Sequence, residues 1–80
     1  MGRYGLLRRQ IVDGRSDANI RFDELRGLLM KLGFIERTRG SHHIFRKEGV
    51  AEGLNLQRDG NHAKPYQVRQ VRQILQRYHL

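Results

Sequence analysis

The sequence predicts a small α+β domain, and three stretches of distinct hydrophobic period predict it. Apolar residues recur at helical spacing from Phe22 to Leu32, alternate from Phe34 to Lys47, and return to helical spacing from Val68 to Tyr78. A helix with one apolar stripe and a strand with one apolar face must each bury that side, and helices laid on one face of a short antiparallel sheet satisfy both.

The first element is a short amphipathic helix over residues 3 to 13, in which Tyr4, Leu7 and Ile11 share a side and Arg8, Arg9 and Gln10 fill the remaining turn. Gly14 is its natural stop, because a residue without a Cβ enters the left-handed cap conformation freely. The segment Asp13-Gly14-Arg15-Ser16-Asp17-Ala18-Asn19 is rich in turn formers and reads as a loop. Residues 1 to 19 are therefore an N-terminal helical extension and loop, and residues 20 to 80 the core of a single domain.

Phe22, Leu25, Leu28, Leu29 and Leu32 form the clearest helical stripe, and Gly33 ends it, with Phe34 placed to fold back on the last turn. The period then becomes two on either side of Gly40-Ser41, and a glycine first in a two-residue connection suits a type II′ hairpin turn. A third strand is expected at Leu54-Asn55-Leu56-Gln57, after the turn-forming run from Glu48 to Gly53. Asp59 to Lys64 reads as a polar loop. Pro65 fits the first turn of the last helix, since its missing N–H costs nothing there. That helix, from about Tyr66 to Tyr78, carries the stripe Val68, Val71, Ile74, Leu75 and Tyr78. Arg69, Arg72, Gln73, Gln76 and Arg77 lie off it as a basic ridge with no acidic residue on the helix to balance it. With the helices on one side of the sheet, its other face is left open as a binding surface.

Charge points to a polyanion. Sixteen Lys and Arg stand against eight Asp and Glu, a formal net charge of +8, and the excess is shared by both halves of the chain. Thirteen of the basic residues are Arg, whose planar fork of donors suits bidentate phosphate contact. With no Cys there is neither a disulfide framework nor a thiolate metal site, and no apolar run approaches the ~18 residues of a membrane span. Met1-Gly2-Arg3-Tyr4 lacks the apolar core of a signal peptide, so the expectation is a soluble cytoplasmic protein.

The chemistry-bearing stretch is Gly40-Ser41-His42-His43-Ile44-Phe45, bracketed by Arg37 and Arg39 before it and Arg46 and Lys47 after it. Strand alternation sends His42 and Ile44 to one face and His43 and Phe45 to the other, so the two imidazoles cannot share a site. If Phe45 packs beneath the helices, as its size favours, His43 is structural and His42 is presented on the open face. Were Ile44 the core residue, the two would exchange. Imidazole, with an ordinary pKa of about 6.5, is suited to take a proton from a ribose 2′-OH or give one to a leaving 5′-oxygen near neutral pH. Neighbouring cations would bind phosphate and stabilise the charge that develops on it.

Other chemistries fit less well. Zinc needs three or four convergent ligands, whereas His42 and His43 diverge and His62 and His79 lie in other elements. Glu48, Glu52 and Asp59 are scattered through turns, unlike the clustered carboxylates of a two-metal nuclease. Ser41 beside His42 has no nucleophile elbow or third group, and no P-loop is present. No metal or cofactor is expected.

The ordered combination of Leu25 to Phe34, Arg39-Gly40-Ser41-His42-His43-Ile44-Phe45, and Lys64-Pro65 opening a helix with Val68, Val71 and Leu75 resembles the HicA family. These are small mRNA-cleaving toxins of bacterial and archaeal toxin–antitoxin pairs, and the resemblance covers about Arg21 to Leu80. It implies a double-stranded-RNA-binding-like fold of helix, three antiparallel strands and helix, here with an additional N-terminal helix. It also implies a metal-independent endoribonuclease, an mRNA interferase whose working histidine falls on His42, and a HicB-type antitoxin protein that covers the active face. Beside His42, the expected RNA-binding residues are Arg39, Ser41, Arg46, Lys47 and Lys64. The alternative is a binding module of the double-stranded-RNA type that keeps fold and charge without catalysis, reading shape, phosphates and 2′-OH groups.

Overall fold

The computed structural model describes residues 2–80, and its elements follow the changes of period closely. Helix α1 spans Arg3–Asp13, α2 Phe22–Lys31 and α3 Pro65–Arg77; strand β1 spans Ile35–Arg39, β2 His42–Arg46 and β3 Leu54–Leu56. The sheet is antiparallel in the order β1-β2-β3. The architecture is α+β, with three helices and a three-stranded sheet joined by a second, two-stranded one.

Each boundary has a local cause. Gly33, at φ 102°, terminates α2: its N–H bonds the Met30 carbonyl at 3.0 Å and the Phe34 N–H bonds the Leu29 carbonyl at 2.9 Å. These are the paired bonds of a Schellman cap, and they turn Phe34 into the core, where it is buried. Asp23 and Glu24 in the first turn and Lys31 in the last complement the helix dipole. Gly40, at φ 57°, opens the β1–β2 turn as a type II′ connection requires, and sets Arg39 directly opposite His42.

One face of the sheet is the floor of the core. Phe45, Leu54 and Leu56 on that face pack with Phe22, Leu25 and Leu29 of α2 and with Val68, Val71 and Leu75 of α3. The other face is uncovered, and Ile35 on it is 76% exposed. Among the described residues no helix is long and apolar enough to cross a membrane.

Three segments differ from the sequence reading. The segment from Asp59 to Lys64, expected to be a polar loop, contains most of a second hairpin, β4 (Arg58–Asp59) with β5 (His62–Ala63). Gly60 at φ 61° makes its turn, and the Ala63 N–H bonds the Ile20 carbonyl at 2.8 Å while the Phe22 N–H bonds the Asn61 carbonyl at 2.9 Å. This hairpin thereby fastens the entry to α2. The loop after α1 contains one 3-10 turn, Asp17–Asn19. Finally, the basic ridge of α3 is partly neutralised across the fold: Arg72 bonds the Ile11 carbonyl at 2.7 Å and Asp17 at 2.5 Å, and Arg77 pairs with Glu52 at 2.5 Å.

Helix α1 packs across α2 and α3 and adds Leu7 and Ile11 to the common core. The contact depends on Gly27 in α2, where a Cβ would lie 2.2 Å from the Tyr4 hydroxyl oxygen. Glycine in a helix interior costs about 1 kcal/mol relative to alanine. Here it makes the space into which Tyr4 fits.

Candidate functional site

The two histidines occupy opposite faces of β2, with unlike surroundings. His43 points under α2, and its Nδ1 lies 2.7 Å from Glu36 Oε2. Arg26 holds the same carboxylate through two bonds of 2.8 Å, and the His43 ring meets the Phe22 ring edge-on at a centroid distance of 5.0 Å. The Arg26 hydrogen bonds are the main cause that lowers the Glu36 carboxyl below its ordinary value of 4.5, with burial opposing and His43 adding to the lowering. Asp23, lowered chiefly by its bond from Arg58 and next by Arg26, extends the chain of charges, and the Arg58 guanidinium lies 4.8 Å from the centre of the Phe22 ring. His43 is thus held by a carboxylate that is itself held, the arrangement of a structural imidazole.

His42 is exposed and held from the β3 side. Its Nδ1 lies 3.0 Å from Asn55 Oδ1, an oxygen with no proton to give, so Asn55 favours the neutral tautomer that donates from Nδ1 and leaves the lone pair to Nε2. Gln57 Nε2 approaches that Nε2 at 3.4 Å and donates to Ser41 Oγ at 3.2 Å. The first contact is long, so a reacting hydroxyl can displace it.

Gln57 is in turn fixed by α3. Gln67 is 1% exposed, and in the amide orientation that satisfies both of its ends it pairs with the Gln57 backbone, the nitrogen donating to the carbonyl at 3.0 Å and the oxygen accepting from the N–H at 2.9 Å. A buried amide needs such partners, and Gln67 finds them at the end of β3. The joint connects the core of the molecule to the side chain that touches His42 Nε2.

A cleft of about 480 Å³ runs between β3 and α3. The sheet lines it with His42, Asn55 and Gln57, and α3 with Tyr66, Gln70 and Gln73. The Arg77–Glu52 pair also lines it; the Tyr78 hydroxyl, hydrogen-bonded to Glu52, is the main cause that lowers the Glu52 carboxyl from 4.5. A second concavity of about 590 Å³ lies on the open sheet face among Arg37, Arg39, Ile44, Arg46 and Lys47.

The residues expected to bind RNA divide between these surfaces. Ser41 shares the Gln57 amide with His42, and Arg39 faces His42 across the strand pair while lining the open face. Arg46 lies against Gly53, a residue of the cleft, and the Lys47 ammonium lies over Gly33. Lys64 caps α3 and lines neither concavity. Sequence reasoning missed Asn55, Gln57, Tyr66, Gln70 and the buried Gln67. One signal was available: Tyr66, Gln70, Gln73 and Arg77 recur at spacings of four, three and four, a second helical stripe beside the apolar one.

Among the described residues no group of three or more His, Asp or Glu side chains is placed to hold a metal ion. In comparisons with known proteins, no family model, no curated protein and no solved structure matched the chain.

Proposed function

We propose that the chain is a metal-independent endoribonuclease of the HicA type, the toxin of a HicAB-type pair, with His42 as its general base. The single observation that carries this reading is the exposed His42 ring, held by Asn55 at Nδ1 and set directly across the strand pair from Arg39. The order α2, β1, β2, β3, α3 supports the double-stranded-RNA-binding-like description, with α1 added before it and the small β4–β5 hairpin inserted ahead of α3.

In this mechanism His42 Nε2 removes the proton of a ribose 2′-OH, and the 2′-oxygen bonds to the adjacent phosphorus. The bond from phosphorus to the 5′-oxygen breaks, and the leaving oxygen takes a proton from water or from the imidazolium just formed. The products are a 2′,3′-cyclic phosphate and a 5′-hydroxyl. Arg39 stabilises the charge that builds on the phosphate oxygens, and Asn55 holds the ring in the tautomer the first step needs. Arg46 and Lys47 extend the cationic surface on which an acidic HicB-type antitoxin would sit, in competition with RNA.

The test is cleavage of a defined single-stranded RNA by wild type and His42→Ala, with EDTA present throughout. Wild type should cleave, and His42→Ala should lose about 10²- to 10⁴-fold in rate while keeping its fold and RNA affinity. Cleavage that stops with EDTA and returns with Mg²⁺, or a His42→Ala protein as active as wild type, would remove the mechanism. RNA binding by wild type without cleavage would favour the non-catalytic binding module.

A further inference from the structure

Two surfaces of opposite character meet at His42. On the open sheet face Arg37, Arg39 and Arg46 are exposed cations, a surface that suits a phosphate chain. On the other side the cleft is lined by uncharged amides from both walls, Asn55 and Gln57 facing Gln70 and Gln73, and its one cation, Arg77, is already paired with Glu52. A phosphate gains little in such a cleft, where Glu52 is held as a carboxylate by Tyr78 and Arg77. A nucleobase gains more, since primary amides present a donor and an acceptor side by side, as base edges do.

We infer that the cleft between β3 and α3 is a base-binding site that takes one unpaired RNA nucleobase, with its phosphate on the Arg39 side and its ribose at His42. This rests on the ribonuclease reading and adds the part of the substrate that is recognised. Three observations agree with it. The cleft, about 480 Å³, lies within the usual range of about 300–1,000 Å³ for pockets that enclose a small ligand. Tyr66 is an aromatic 48% exposed at its wall, available to stack on a base. His42 lines the cleft while Arg39, its cross-strand partner, lines the cationic face, and the ribose is the unit that joins base to phosphate. A base inside a duplex is stacked and paired and cannot enter, so the site selects single-stranded RNA.

Two experiments on the full chain test the assignment. The first follows backbone amide resonances while a single-stranded RNA trinucleotide with 2′-fluoro riboses, which lacks the 2′-oxygen nucleophile, is added. Shifts should appear at Tyr66, Gln70 and Gln73 together with Arg39. The second maps cuts on a long unstructured RNA. The double variant Gln70→Ala, Gln73→Ala should still cleave but lose about tenfold or more of its base preference beside the cut, and Tyr66→Ala should raise KM by about tenfold with a smaller change in kcat. If RNA is bound and cleaved with unchanged preference, and the shifts are confined to Arg37, Arg39 and Arg46, the cleft assignment falls while the ribonuclease reading stands. If no RNA is bound at all, both fall together.

Discussion

His42 and His43 are adjacent in sequence, yet one is anchored by Glu36 in the interior and the other by Asn55 at the surface. Alternation along β2 was enough to separate them, and Phe45, buried completely, decided which faced inward. The partners were not legible, because Glu36 and Asn55 come from the strands on either side and a polar residue carries no periodicity to reveal its register. The surroundings of His43 give a first prediction: His43→Ala should lower stability by about 1–3 kcal/mol, since it removes the ring against Phe22 and a hydrogen bond to Glu36. The thermal midpoint measures this, and RNA cleavage by the remaining folded protein should be retained. Lost cleavage with an unchanged midpoint would instead exchange the roles of the two histidines.

Glu36 gives a prediction about acid. Its carboxyl is lowered from 4.5 in the folded chain, chiefly by Arg26, so the unfolded chain binds its proton first as pH falls. The stabilisation is complete above the unfolded value and is lost as pH drops through the lower folded one. Melts from pH ~7 down to ~3 should therefore show wild type losing more stability than Glu36→Gln, which has no proton to take up. Equal losses in both proteins would assign the acid sensitivity to Asp23 and Glu52, the other lowered carboxylates.

Among elements, α1 to α3 and β1 to β3 were legible because each has a period long enough to count and a glycine or proline at its boundary. The β4–β5 hairpin was not, since strands of two residues have no period, although Gly60-Asn61 between Asp59 and His62 is a recognised hairpin signal. The side chains of Arg72 and Gln67 were hidden for a different reason: each finds its partner outside its own helix, at Asp17 and at the Gln57 backbone. Docking of α1 supplies the prediction at this scale. Gly27→Ala should destabilise wild type by about 1–3 kcal/mol, because its methyl group meets the Tyr4 hydroxyl. In a Tyr4→Ala background the same change should stabilise by up to ~1 kcal/mol, the helix-propensity gain being all that is left. Denaturant midpoints of the four proteins decide it, and additive effects would mean that Tyr4 and Gly27 are not coupled.

Over the whole molecule, a net charge of +8 shared by both halves of the chain points to a polyanion, and the fold sorts that charge. Asp17, Asp23, Glu36 and Glu52 each engage a cation, Arg72, Arg26, Arg58 or Arg77, drawn from the helices and the small hairpin. Arg37, Arg39 and Arg46 on the open sheet face are exposed, and the amide-lined cleft beside them is close to neutral. If phosphates lie on the first surface and a base in the second, salt should distinguish them. Each phosphate contact on single-stranded RNA contributes about 0.7 to the fall of log affinity with log salt, because binding there releases counterions. Arg39→Gln and Arg46→Gln should each flatten that slope by about 0.7, with their largest effects on affinity at low salt. Gln70→Ala should weaken binding while leaving the slope unchanged, since no ion is released when an amide meets a base. Fluorescence titrations of one uncleavable RNA over a range of KCl concentrations would separate the two kinds of contact. Slopes unaltered by both arginine variants would move the phosphate path off the open sheet face.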